Sequence, residues 1–357
     1  MLNDIESKTI SFAQATGIMA VVIGHFYFQP FDVMQPYVFH MPLFFFLGGL
    51  LLSINNGLAL KLKKTITKHG WYLIKGYTIT GVISIFLVSY FGVEKRKPFA
   101  DSIISTIELI VKSNFGNNSL FVVGWFLLAY MLSSLACILL VAAIDKTKFK
   151  NTFIFIFILI FFYFGMLYLP SLHVDRSHYI ANLLSQICTA SGFILTGYLL
   201  RKHWFRILRV DIMVGLFFIM LVMKNQGLLQ GLNIAWSEYP SGILLSILTS
   251  LSGIYVIFVL CYSLANIRGH YAIILFISKN TKSIMTYHIL SFFIVDLVFY
   301  LIGKYDITTS ATYSHYKNIN TWPIYVLSGL TLPLLAVYIY EVSLRFLFKK
   351  NLTPHLS

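Results

Sequence analysis

The sequence predicts an all-α, polytopic integral membrane protein of about ten transmembrane helices, and three observations carry that prediction. Of its 357 residues, 58% are hydrophobic, 17% aromatic and only 11% charged, whereas a soluble domain carries about 25% charged residues. So little charge leaves too little polar surface to cover a water-soluble globule of this length. The apolar residues gather into ten blocks, and at roughly 20 residues per span plus short connections the chain has room for about ten crossings. Lys and Arg then fall between the blocks with a consistent bias to one side. The net charge of +14 is scattered as short clusters, which argues against a nucleic-acid partner. With no repeat, low-complexity tail or soluble insert, residues 1–357 read as a single domain in the lipid bilayer.

The blocks lie at 9–28, 42–60, 72–92, 119–143, 152–169, 181–200, 211–224, 240–264, 282–302 and 322–344. The first follows a mixed-charge start, Met1 to Lys8, without a small-residue cleavage site, so it is expected to be an uncleaved signal anchor. The second opens on Pro42, which suits the first turn of a helix, and carries Gly48-Gly49, which permits close helix contact. The seventh is the shortest. Between the third and fourth, Ala100 to Lys112 has apolar residues at helical spacing and predicts an amphipathic helix lying in the membrane interface. Cys137, Cys188 and Cys261 each fall inside an apolar block, and their odd number argues against a disulfide framework.

Orientation follows from the loops. One side receives Lys8, the Lys61–Lys75 and Lys146–Lys150 clusters, the Arg201–Arg209 stretch, Arg268, Lys279, Lys282, Arg345, Lys349 and Lys350, which is 19 of the 27 basic residues. By the positive-inside rule that side is cytoplasmic, and both termini lie there.

Polar groups inside a bilayer are costly and mark candidate chemistry. The first block holds Gly24-His25; a neutral imidazole there either packs against a neighbouring helix or serves a site. Phe39-His40 precedes the second block, so both histidines fall toward the outer half of adjacent helices. Gly124-Trp125-Phe126-Leu127 opens the fourth block, and Ser278-Lys279-Asn280-Thr281-Lys282-Ser283 leads through Tyr287 to His288 in the ninth. Asp296 is the one mid-span acid, and no basic residue stands at its depth in the sequence. Outer loops carry His173, Asp175, Arg176, His178, Trp236 and Glu238, a set of aromatic and polar groups.

The order of these motifs resembles the acyltransferase-3 family of membrane acyltransferases, and within it the sugar O-acetyltransferase branch that includes fucose 4-O-acetylases. A first-span pattern that opens on GI and closes on VVxGH corresponds to GIMAVVIGH at residues 17–25, FHMPLFFFLSG to residues 39–49, a WFL segment to Trp125-Phe126-Leu127, and a late GKNSxxIxxxH to residues 278–288. The resemblance covers essentially the whole chain, and the FHMPLFFFL block is its most specific part. It implies transfer of an acetyl group from cytoplasmic acetyl-CoA, with no metal, to a hydroxyl of a cell-surface sugar (an O-antigen, capsule or exopolysaccharide unit) at a bacterial inner membrane. His25 is then the expected general base, because a positioned base contributes roughly 10²–10⁴-fold to such a transfer and imidazole titrates near neutral pH. His40 is expected to be its partner or a substrate ligand. Trp125, Asn280, Ser283 and Tyr287 offer donors for the thioester oxygen, and His288 and Glu238 complete the expected substrate-binding set.

One departure stands out. The family carries a basic residue eleven positions before the first histidine and an Asp three residues earlier; here those positions are Gln14 and Ser11. Lys8 is the expected substitute, and Lys64 with its neighbours Lys61, Lys63 and Lys68, together with the Arg201 to Arg209 stretch, is expected to attract CoA phosphates. The competing reading is a transporter or flippase of a lipid-linked sugar, against which stand the absent repeats and the single mid-span acid.

Overall fold

The computed structural model describes residues 2–25, 33, 35–54, 57–92, 97–173, 176–308, 315–316 and 320–350, with side chains to Ser343; Asp175 of the outer-loop set lies outside them. Among the described residues the protein is all-helical, with one isolated bridge, Asn233 to Glu238. The helices, numbered in chain order, are α1 (Asp4–Gly24), α2 (Pro36–Leu50), α3 (Leu58–Phe91), α4 (Ile103–Ser113), α5 (Gly124–Ile144), α6 (Lys150–Leu172), α7 (Tyr179–Leu200), α8 (Val210–Asn225), α9 (Ile243–Ala265), α10 (Ala272–Lys279), α11 (Thr281–Leu301) and α12 (Trp322–Lys350). Helices occupy all ten apolar blocks. Seven of them, α3, α5, α6, α7, α9, α11 and α12, are long and apolar enough to cross a membrane by themselves. The other three are special cases: α1 carries charge in its first turns, and α2 and α8 have 15 and 16 residues. At 1.5 Å per residue those two are about 23 Å long, short of the roughly 30 Å hydrocarbon core.

Local chemistry sets the boundaries. Asn3 caps α1: its Oδ1 accepts from the Glu6 backbone N–H at 2.8 Å, and Glu6 Oε2 accepts from the Asn3 N–H at 2.9 Å, which satisfies two orphan donors reciprocally. The second block begins earlier than its apolar run implies. Pro36, not Pro42, occupies the first turn of α2, and Pro42 lies inside the helix. A proline there removes the N–H that would bond the carbonyl four residues back. That carbonyl belongs to Val38, and the Ser250 hydroxyl of α9 donates to it at 2.7 Å. A side chain from another helix thus supplies the missing donor, as a dry bilayer requires.

At the centre stands α7, packed against α2, α5 and α6, while α1 packs on α2 and α9, and α11 pairs with α12. The α2–α7 crossing brings backbones together: a Cβ on Gly49 would lie 1.9 Å from the Ile194 carbonyl, and one on Gly197 would lie 2.2 Å from that of Phe46. Gly48-Gly49 therefore makes the close contact read from the sequence, and Gly197 is its counterpart. In α6 a π-turn over Phe164–Tyr168 precedes Pro170, and the Ser185 hydroxyl donates to the Gly165 carbonyl at 2.6 Å. Large side chains such as Phe155, Phe218, Leu244 and Leu327 are exposed around the bundle, where lipid is their natural solvent. On α4, Ile103, Ile104 and Ile107 project outward in the same way, consistent with an interfacial amphipathic helix.

Candidate active site

Two cavities share one wall inside the bundle. The first, of about 350 Å³, is lined by His25, Tyr37, His40, Asn114, Trp125, Asn233, Trp236 and His315; we call it the histidine cavity. The second, of about 250 Å³, is lined by Gln14, Gly48, Lys68, His69, Tyr130, Thr281 and Lys282; we call it the lysine cavity. Phe126 and Met285 line both. On α1, Gln14 and His25 stand eleven residues apart, about 16 Å along the axis, so the cavities succeed one another along the helix.

Each histidine of the first cavity has a defined neighbourhood. His25 caps the C-terminus of α1, and its ring lies 5.0 Å from that of His288, tilted by 46°. His288 is fully buried. Its Nδ1 lies 2.9 Å from the Ile284 carbonyl and 3.0 Å from that of Met285. Carbonyls only accept, so Nδ1 carries the proton and Nε2 keeps a lone pair. That Nε2 is buried without a hydrogen-bond partner among the described residues. His40 is anchored in the same fashion, with Nδ1 against the Pro36 carbonyl at 2.5 Å, and the Tyr37 ring meets it edge-on at 5.0 Å.

The loop before α9 closes the far side of this cavity. The Ala235 carbonyl receives the side-chain amides of Asn114 at 2.6 Å, Gln186 at 2.7 Å and Asn182 at 3.0 Å, and the Leu232 N–H donates to the Tyr37 carbonyl at 3.1 Å. These bonds hold Asn233 and Trp236 over the cavity. Trp236 is covered in turn by the Arg176 guanidinium, 4.4 Å above its ring, and Arg176 pairs with Glu238 at 3.0 Å. Trp125 is delivered by the 113–121 turn, which Asn117 and Asn118 tie to Pro98 at 2.9 Å and to Thr80 at 3.0 Å.

The lysine cavity has the opposite chemistry. Lys282 Nζ donates to His69 Nδ1 at 3.3 Å and lies 5.7 Å above the Tyr72 ring, with Lys68 beside it on α3. Gln14 accepts from the Ser278 hydroxyl at 2.9 Å.

The structure thus gathers His25, His40 and Trp125 around one cavity, sets His288 beside His25, and places Gln14 on the other cavity. It puts the remaining candidates elsewhere. Ser283 and Tyr287 line a lateral groove of about 560 Å³ between α3, α11 and α12, and Ser283 meets the Tyr72 hydroxyl at 3.2 Å. Asn280 donates to the Phe276 carbonyl at 2.9 Å. Lys8 pairs with Asp4 at 2.6 Å, and Lys64 is exposed on α3; neither lines the histidine or the lysine cavity. Glu238 is exposed at the rim. His173 is held by the His178 carbonyl at 2.8 Å, and burial pushes its imidazole pKa below the usual value.

Sequence reasoning missed the partner of Asp296. That carboxylate is not isolated: its Oδ2 lies 2.6 Å from His315 Nδ1, and its Oδ1 accepts from the Tyr325 hydroxyl at 2.5 Å and the Tyr316 N–H at 3.2 Å. His315 lies 19 residues away, outside any apolar block, so no helical spacing linked the two. Lys282 and His69 were equally hidden, since a cavity-lining lysine looks like any other topology signal in a sequence.

No curated protein and no solved structure matches the chain. One family does: its sequence model, described as an acyltransferase domain, matches residues 8–341, which takes in both cavities and their shared wall. The chain belongs to the acyltransferase-3 family, and it is a multi-pass membrane protein carrying that acyltransferase domain.

Proposed function

We propose that the protein is an O-acetyltransferase that moves an acetyl group from cytoplasmic acetyl-CoA to a hydroxyl of a cell-surface sugar, at the bacterial inner membrane. The observation that carries this reading is the pair of cavities meeting at Phe126 and Met285. By the positive-inside rule the beginnings of α1 and α11 face the cytoplasm, so the lysine cavity takes the donor side. Lys68, Lys282 and His69 offer charge and donors to the phosphates of CoA, and they bring cations to the cavity where Gln14 replaces the family's usual basic residue. Beyond the wall, Trp125 and Trp236 offer flat faces for a sugar ring.

His25 acts as general base. The acceptor oxygen attacks the thioester carbonyl while its proton passes to the His25 imidazole; the C–S bond breaks, and the departing thiolate takes that proton back. His288 is assigned to orient His25, because its Nε2 lone pair is the buried acceptor beside that ring.

The test is incorporation of label from acetyl-CoA into the glycans of membranes that contain the full chain. Wild type should incorporate label and His25→Ala should not, at equal protein abundance. Equal incorporation by the two would remove the base assignment. Glycans of unchanged mass, with and without the gene, would remove the sugar-acetylation reading.

A further inference from the structure

We infer that His315, clamped by Asp296 and Tyr325, accepts from a hydroxyl of the acceptor beside the reacting one and so orients the acceptor in the histidine cavity; this rests on the acyl-transfer reading above. Asp296 lies in the C-terminal third of α11 and is 3% exposed, a costly position for a carboxylate inside a membrane bundle. Three donors meet its two oxygens: His315 Nδ1 at 2.6 Å, the Tyr325 hydroxyl at 2.5 Å and the Tyr316 N–H at 3.2 Å. A carboxylate only accepts, so the Nδ1 proton of His315 is committed to Asp296, and in the neutral ring the lone pair lies on Nε2. An imidazole held by a carboxylate in this way is fixed in tautomer and orientation and is a stronger base and acceptor.

The ring so fixed lines the same cavity as His25. Both pack edge-on against Phe292, with centroids 6.0 Å away for His25 and 5.4 Å for His315. His25 ends a membrane helix, whereas His315 arrives from the segment between α11 and α12. A bundle that needed only to tether that segment could do so by apolar packing, without a carboxylate inside it. A buried carboxylate that holds an imidazole at a cavity lined by Trp125 and Trp236 fits recognition of a hydroxyl on a ring that stacks on aromatics. The ligand class is a sugar; His315 accepts from one of its hydroxyls while His25 takes the proton of the neighbouring, reacting one. Asp296 and Tyr325 are positioning residues that act through His315.

The experiment uses the full chain in detergent, labelled acetyl-CoA at saturation, and a glycolipid extract of the producing cells titrated as acceptor. His315→Ala is expected to raise the extract concentration giving half-maximal rate about 10- to 100-fold, as for loss of a hydrogen bond to a charge-backed group. The KM for acetyl-CoA is expected to stay at the wild-type value. His315→Gln, whose amide oxygen still accepts, recovers part of the loss, and Tyr325→Phe falls between it and wild type. The inference is overturned if His315→Ala leaves the acceptor requirement unchanged. It is also overturned if that variant lowers abundance and shifts donor and acceptor kinetics alike, with His315→Gln no better. Failure of wild type to transfer label would instead remove acyl transfer, and this assignment with it. A selective His315 effect beside an active His25→Ala would leave this inference standing and remove only the base.

Discussion

The two cavities are built from the same helices and differ in nearly everything else. α1, α2, α5 and α11 each contribute residues to both, yet one is lined by imidazoles, amides and indoles and the other by two lysines, a histidine and a glutamine. Position along a helix therefore decides chemistry here: on α11, Lys282 belongs to one cavity, His288 stands beside the other, and Met285 between them belongs to both. The difference teaches a division of labour. Cations suit a polyanionic donor, whereas neutral imidazoles and aromatic faces suit a hydroxyl whose proton must leave. Phe126 and Met285, which line both cavities, mark where donor and acceptor would meet on the proposed reading.

Breaking the histidine cavity should have the largest effect. His25→Ala is expected to lower transfer by about 10²- to 10⁴-fold with an unaltered KM for acetyl-CoA, measured as initial rates with labelled donor. A raised donor KM with full turnover would place His25 on the wrong side of the division.

The reciprocal change tests the lysine cavity. Lys282→Ala should raise the donor KM by about 10-fold or more, as for a lost charge-assisted bond, with little change in acceptor dependence, and Lys282→Arg should recover much of it. The donor KM of the wild type should also rise with ionic strength, because exposed phosphates are screened. An acceptor-dependent defect would blur the comparison.

Smaller effects sharpen it. Trp125→Ala should weaken acceptor use by about 3- to 10-fold, the value of a lost aromatic contact, and leave the donor KM alone. Arg176→Ala, at the exposed rim, should change stability and acceptor use by less than about 1 kcal/mol, as exposed ion pairs do; thermal unfolding in detergent checks the first and acceptor titration the second.

Much of the scaffold was legible because membrane physics writes plainly. Ten apolar blocks became ten helices, and Phe39–Gly49, the most specific stretch, formed the helix that passes both cavities. What stayed hidden depended on contacts between distant residues. Pro42 read as a helix start because proline rules are local, but Ser250, over 200 residues away, satisfies the Val38 carbonyl and lets the helix run through. Asp296 read as an isolated acid because His315 reaches it from a connecting segment. Lys68 was named only as one of a cluster with Lys61, Lys63 and Lys64, and Lys282 was read as a topology signal, because net charge carries no information about which lysine turns inward. His288 sits beside His25 although 263 residues separate them; periodicity within one helix predicts its face and not its neighbour.

The central claim, that donor and acceptor are served by different cavities across one wall, is tested most directly by the side from which donor is accepted. Sealed membrane vesicles of the two orientations, both containing the full chain and its acceptor, are supplied with labelled acetyl-CoA from outside. The account predicts labelled glycan in inverted vesicles, where the cytoplasmic face is exposed, and none in right-side-out vesicles until they are made leaky. Equal labelling in intact vesicles of both orientations would contradict it.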